Sequence, residues 1–232
     1  MEKQVLLVID MQSDFCVPGG PLFVACAPDI VDAVVAAVDA ARAKGVPVVW
    51  VVREHHPTGE RESEGAGGGG GGAGRAVDGE GSPPPSFSAG LDIEVTRAGL
   101  YASGTGPLAV LSPGAELVGG LVPRGGEHVV SKKRFSAFWG THLASLLRRL
   151  GATHVVLAGV QTPNCIRATA FDAVAEDFQD VSIIADATAA ATDAVQRANL
   201  ADCRAVGIHT PTLAEWRASL GGGGLLGSLF GR

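Results

Sequence analysis

Three side chains in this 232-residue chain are of types that together attack carbonyl carbon: the thiol of Cys165, the carboxylate of Asp10 and the ammonium of Lys132. A thiol attacks as its thiolate, so it needs a base. A carboxylate serves, and a lysine nearby stabilises the thiolate and keeps the carboxylate charged. Each of the three follows an aliphatic run: Val5 to Ile9 precedes Asp10, His128 to Ser131 precedes Lys132, and His154 to Ala158 leads toward Cys165. The cysteine lies in Gly159-Val160-Gln161-Thr162-Pro163-Asn164-Cys165-Ile166-Arg167, where a Gly and a Pro-containing turn separate the apolar run from a helical pattern. Unpaired N–H groups at the start of a helix lower a thiol's pKa and hold a developing oxyanion.

The elements that must position these groups alternate along the chain. Continuous aliphatic runs are the pattern of parallel strands buried on both faces, and open α/β sheets bind ligands at the carboxyl ends of such strands. After the first strand, Asp29 caps a helical pattern from Ile30 to Lys44 that Gly45 stops. A second strand, Val46 to Val52, ends in the polar cluster Arg53-Glu54-His55-His56-Pro57. Ser112 to Leu117 starts a short helix that ends at Gly119-Gly120, and a helix from Gly140 to Leu150 follows the third strand. The rest reads as strand Thr153 to Ala158, helix Cys165 to Asp177, strand Val181 to Ala185, helix Ala189 to Cys203, strand Ala205 to His209 and helix Leu213 to Leu220. This alternation predicts right-handed crossovers and a parallel sheet covered on both sides, with the three reactive groups brought together by neighbouring strands.

Bulk properties narrow the function classes. With 46% hydrophobic residues and a mean hydropathy of +0.25, the chain is expected to fold as one domain over residues 1–220. Residues 58–90, with the run Gly67 to Gly72 and the triplet Pro83-Pro84-Pro85, read as a flexible insertion. Residues 221–232 read as a disordered Gly-rich tail. The Gly run is no phosphate loop, because no strand enters it and no Lys-Ser/Thr pair follows. A net charge of −6 without a Lys/Arg cluster argues against a nucleic-acid partner. No apolar run reaches the length of a membrane span, no signal peptide is expected, and four scattered cysteines suit a reducing compartment such as the cytoplasm.

Three stretches carry a family resemblance: Val8-Ile9-Asp10-Met11-Gln12-Ser13-Asp14-Phe15; Lys132-Lys133-Arg134-Phe135-Ser136-Ala137-Phe138; and Gly159 to Cys165 followed by Ala168-Thr169-Ala170-Phe171-Asp172-Ala173. In that order they resemble the isochorismatase-like cysteine hydrolases, which include nicotinamidases, N-carbamoylsarcosine amidohydrolases and isochorismatases. Trp50 to His55 and Asp186 to Thr192 are similar to a plant-type nicotinamidase-like branch. The resemblance implies a three-layer α/β/α fold of the Rossmann-like, doubly wound kind with a six-stranded parallel sheet, and an Asp10-Lys132-Cys165 triad. It also implies a cis peptide at Val160-Gln161 that aims the N–H groups of Gln161 and Cys165 into an oxyanion hole.

The resemblance implies hydrolysis of a small carboxamide through a thioester acyl-enzyme. Two alternatives stand beside it, isochorismatase-type cleavage of a vinyl ether and a degenerate member that only binds a metabolite. Gln12, Phe15, Phe138 and Trp139 are candidates for lining the substrate pocket. Metal-binding nicotinamidases use an Asp-x-His pair at the second strand end plus a further His. Glu54 and His56 could mimic that pair, but no histidine lies between His56 and His128, so no cofactor is expected and zinc is not favoured. Arg53, Glu54 and His55 are instead expected to hydrogen-bond within the pocket wall. Relatives are often homo-oligomers, which makes a second copy of this chain a candidate partner.

Overall fold

The computed structural model describes residues 3–56, 93–101 and 106–221. The expected insertion and the tail beyond Gly221 lie outside the described residues. Strands form where the aliphatic runs predict them: β1 (Gln4–Ile9), β2 (Val48–Arg53), β3 (His128–Lys132), β4 (His154–Val160) and β5 (Asp180–Ala189). Every residue of β2 and β4 is buried, as expected of strands covered on both faces. All pairings are parallel and the order is β3-β2-β1-β4-β5.

The period-2 alternation of these strands divides the interior into two cores. Leu6, Val8, Val48 and Trp50, with Phe15 of the short helix α1 (Ser13–Cys16), pack beneath α2 (Ala27–Ala43) and α6 (Leu213–Ser219). Val5, Leu7, Ile9, Val49 and Val51 face α3 (Leu143–Arg149), α4 (Arg167–Ala175) and α5 (Asp193–Ala205). One large side chain anchors each end of the first core, and both buried indoles are satisfied. Trp50 Nε1 donates to Glu127 Oε2 at 2.7 Å, and Trp216 Nε1 donates to Gln4 Oε1 at 2.9 Å. Burying one such side chain contributes about 2 to 3 kcal/mol.

The helix that covers this core follows from its sequence. Ile30, Val34, Ala37, Val38 and Ala41 fall on one stripe of α2, and Gly45, at φ 68, ends it as expected. Its start differs from the expectation. Cys26 occupies the cap position, Pro28 enters the first turn where its missing N–H is not needed, and Asp29 lies one residue deeper, against the positive end of the helix.

Two further expectations are corrected. The described sheet has five strands, not six, because α5 continues through Ala205 and the residues after it pair with β5 at one isolated bridge, Ser182 with His209, followed by a single bond from the Ala185 N–H to the Pro211 carbonyl at 2.8 Å. Pro211 lacks the N–H that another rung would need, so the ribbon ends there. The strand expected to end at Ala185 continues to Ala189, the residue at which a helix was expected to begin. Thr192 then caps α5, with its side chain accepting from the Val195 N–H at 3.3 Å.

Candidate active site

The order of the sheet reverses at β1, which has β2 on one side and β4 on the other, and the crevice at such a reversal is where open α/β sheets bind ligands. Gly159 brings the two strand ends together. Its φ of 114 is closed to other residues, and a Cβ there would lie 2.1 Å from the Ile9 carbonyl oxygen. The next peptide, Val160–Gln161, is cis. The chain then makes one π turn, Thr162–Ile166, before α4, and this turn rather than an α-helical N-terminus holds Cys165, at 2% exposure. The Gln161 carbonyl accepts from the N–H groups of Asn164 at 3.0 Å and Ile166 at 3.3 Å, which fixes the turn.

Asp10 follows Ile9, which faces the core below α3 to α5, so an undisturbed strand would point it into the opposite core. Its left-handed backbone, φ 53, breaks the alternation, and its carboxylate meets Lys132 Nζ at 2.8 Å. Lys132 belongs to β3, two strands away from β1. Neighbouring strands bring Asp10 and Cys165 together, and the lysine reaches them only through its length, across the end of β2. Its Nζ lies 3.4 Å from Cys165 Sγ and donates to the Arg134 carbonyl at 3.0 Å. Asp10 and Lys132 are both fully buried.

Burial is the main cause that pushes the Cys165 thiol up to about 11, and the charge of Asp10 adds to it. Lys132 and Arg53 pull the other way. The resting Cys165 side chain is therefore a neutral thiol beside Asp10. Arg53, expected to hydrogen-bond within the pocket wall, is in register with Lys132 and 2% exposed. Burial alone would lower its pKa, but the charges of Cys165, Glu94 and Asp10 outweigh this and raise it. Its Nε donates to His55 Nε2 at 2.9 Å, Nη2 pairs with Glu94, and the guanidinium lies 5.3 Å from the Phe135 ring centre.

The candidate pocket residues divide. Gln12 is fully buried and brackets Arg53. Its Nε2 donates to the carbonyls of Arg53 at 2.8 Å and Ala115 at 2.9 Å, while Oε1 accepts from the Arg53 N–H at 2.7 Å. Phe15 does not line the site, because it packs in the core beneath α2, on the face of the sheet away from Cys165. Phe138 packs on Phe178 with ring centres 6.0 Å apart, and Trp139 lies under the Arg134 guanidinium at 4.7 Å. The sequence reading missed Glu94, whose partner Arg53 is 41 residues earlier. The one available signal was an arginine closing a fully apolar strand, which must find a counter-charge.

Among the described residues, no three of His, Cys, Asp and Glu gather as a metal site. His55 turns Nε2 to the Arg53 donor, which leaves that nitrogen no lone pair for a metal. Glu54 and His56 have no third ligand of these types gathered with them among the described residues.

The profile of the isochorismatase domain matches residues 4–88 and 105–215. The chain belongs to the isochorismatase family. It is 42% identical over 217 residues to a probable inactive nicotinamidase of Arabidopsis thaliana, spanning 93% of this chain and 95% of that protein. It is 30% identical over 222 residues to the ureidoacrylate amidohydrolase RutB of Methylobacterium radiotolerans, spanning 93% of this chain and 79% of the relative. The crystal structure of an isochorismatase family protein from Desulfovibrio vulgaris superposes with a TM-score of 0.79 at 36% identity, covering 96% of this chain and all of the other.

Proposed function

We propose that this member of the family is a cysteine hydrolase of small carboxamides. The observation that carries the reading is the buried contact of Asp10, Lys132 and Cys165, a base, a cation and a nucleophile at one strand-end crevice. The name of one similar protein, a ureidoacrylate amidohydrolase, supports it, whereas the more similar Arabidopsis protein is named a probable inactive nicotinamidase.

In this reading Asp10 removes the thiol proton as Sγ attacks the amide carbon, and Lys132 offsets the negative charge that moves between sulfur and carboxylate. The N–H groups of Gln161 and Cys165 hold the oxyanion. As the tetrahedral adduct collapses, Asp10 returns the proton to the leaving nitrogen, so a primary amide releases ammonia and leaves a thioester. Asp10 then takes a proton from water, whose oxygen attacks the thioester and frees the acid and the thiol. The reaction uses no metal, and metal analysis of chelator-washed protein is expected to find none in stoichiometric amount.

Ammonia release across a panel of small amides, nicotinamide included, tests the reading, with isochorismate assayed beside them. Cleavage of an amide, a covalent acyl-enzyme seen by mass spectrometry, and a loss of about a thousandfold or more in Cys165→Ala are the expected results. Full activity in Cys165→Ala would exclude covalent catalysis. Turnover of isochorismate alone would move the assignment to vinyl-ether cleavage, which needs no thiol. Silence on every compound would leave a binding protein.

A further inference from the structure

A second ion pair, Arg53 with Glu94, lies largely buried next to the triad. The alternation of β2 places Val49 and Val51 in the core that also holds Cys165, so Arg53, two residues on, turns to the same side of the sheet. There its guanidinium lies 5.3 Å from the ring centre of Phe135, which packs on that core. Arg53 is also the register partner of Lys132, whose ammonium passes the end of β2 to reach Cys165 Sγ at 3.4 Å. Gln12 fixes the Arg53 N–H and carbonyl, and His55 accepts from Nε, so the cation keeps its place on the thiol's side of the sheet.

Charges in such a place are little screened by water and act on one another over several ångströms. Asp10 after β1 and Glu94 oppose Lys132 of β3 and Arg53 of β2, two against two, while the half-buried Arg97 lies 5.8 Å from the same Phe135 ring. The elements packed behind the turn of Cys165 hold their charges elsewhere: Arg167 of α4 pairs with Asp202 of α5, and Asp186 of β5 accepts from the Leu213 N–H. A thiolate adds an uncancelled negative charge to the set of four unless its proton stays within the set, on Asp10. Burial and Asp10 hold the thiol up, and Lys132 and then Arg53 draw it down. We propose that Arg53 and Glu94 are positioning residues for the thiol proton: Arg53 favours its departure from Cys165, and Glu94 restrains that pull by cancelling the arginine's charge. The role presupposes Cys165 as the nucleophile of the proposed hydrolysis, but it is read from the thiol and not from turnover, so a protein that cleaves no amide still decides it.

The test follows alkylation of Cys165 by iodoacetamide in the full chain between pH 7 and 9, read by peptide mass spectrometry. Glu94→Gln keeps the shape of the side chain and leaves Arg53 uncancelled, and is expected to speed alkylation at each pH by about threefold or more. A thiol lowered by about one pH unit yields about ten times more thiolate, and the weaker nucleophile takes back about threefold of that gain. Arg53→Gln removes the pull and is expected to slow alkylation by a similar factor. The double variant removes both charges and is expected to return to within about twofold of the parent. Looser packing would instead expose the thiol and speed alkylation in all three variants. Acceleration in Arg53→Gln, or parental rates in Glu94→Gln, would therefore overturn the role. If Arg53→Gln does not fold, the other two variants decide: acceleration in Glu94→Gln that the double variant abolishes supports the role, and equal acceleration in both overturns it.

Discussion

Because burial, ahead of the charge of Asp10, pushes the Cys165 thiol up to about 11, the thiolate is scarce at neutral pH, and in the proposed mechanism the proton leaves as the substrate is attacked. Alkylation of Cys165 by iodoacetamide, followed by peptide mass spectrometry, is therefore expected to rise about tenfold per pH unit from 6 to 9. A plateau below pH 8 would show a thiolate already formed in the free protein and would end the role of Asp10 as its base. Asp10 and Lys132 are coupled differently, as a fully buried ion pair. Lys132→Met, which keeps the bulk and removes the charge, strands the carboxylate and is expected to cost about 3 to 5 kcal/mol in chemical denaturation, besides activity. The three residues were legible because their types suit one chemistry and each follows an aliphatic run. The Arg53–Glu94 pair was not, since nothing in either local sequence points across 41 positions.

Among the elements, the turn after β4 depends most on one residue. Gly159→Ala forces a side chain into the Ile9 backbone at a φ that only glycine adopts readily, and a loss of about 3 kcal/mol or more is expected, measured by urea unfolding. The proposed amidase activity should fall further than stability predicts, because the same displacement moves Cys165 away from Asp10. If the variant melts with the parent, the close approach of β1 and β4 is not rigid. At the far end of the chain, Thr212 and Glu215 cap α6 reciprocally, and Asp186 accepts from the Leu213 N–H at 2.6 Å. The alternation of strands and helices showed these elements, but not their limits. The Ala-rich end of β5 has a helix former's composition and is held as strand by pairing of Thr188 and Ala189 with β4.

At the scale of the molecule, the amino ends of the strands carry their own titration. Burial lowers the His154 pKa to about 4, with Asp180 opposing and His209 adding to the shift, and its Nε2 shares a proton with Ser182 Oγ at 2.8 Å. The folded value lies below the usual 6.5, so the unfolded chain binds the proton first. Stability is full above pH 6.5 and falls by about 3 kcal/mol as pH drops through the window down to 4. His154→Gln is expected to flatten that slope in urea unfolding measured at several pH values, and parallel curves would clear His154 of the effect. Two cores back to back make such ends as dry as the middle of the sheet, which is why a histidine there is neutral.

The same dryness bears on how the family diverges. A chain that gave up hydrolysis could lose Cys165 by a small change such as Cys→Ser or Cys→Ala, with little effect on folding. It could not lose Lys132 or Asp10 singly without stranding a charge in the sheet. Descendants freed from selection for chemistry should therefore shed the thiol first and keep the carboxylate and the ammonium for their fold.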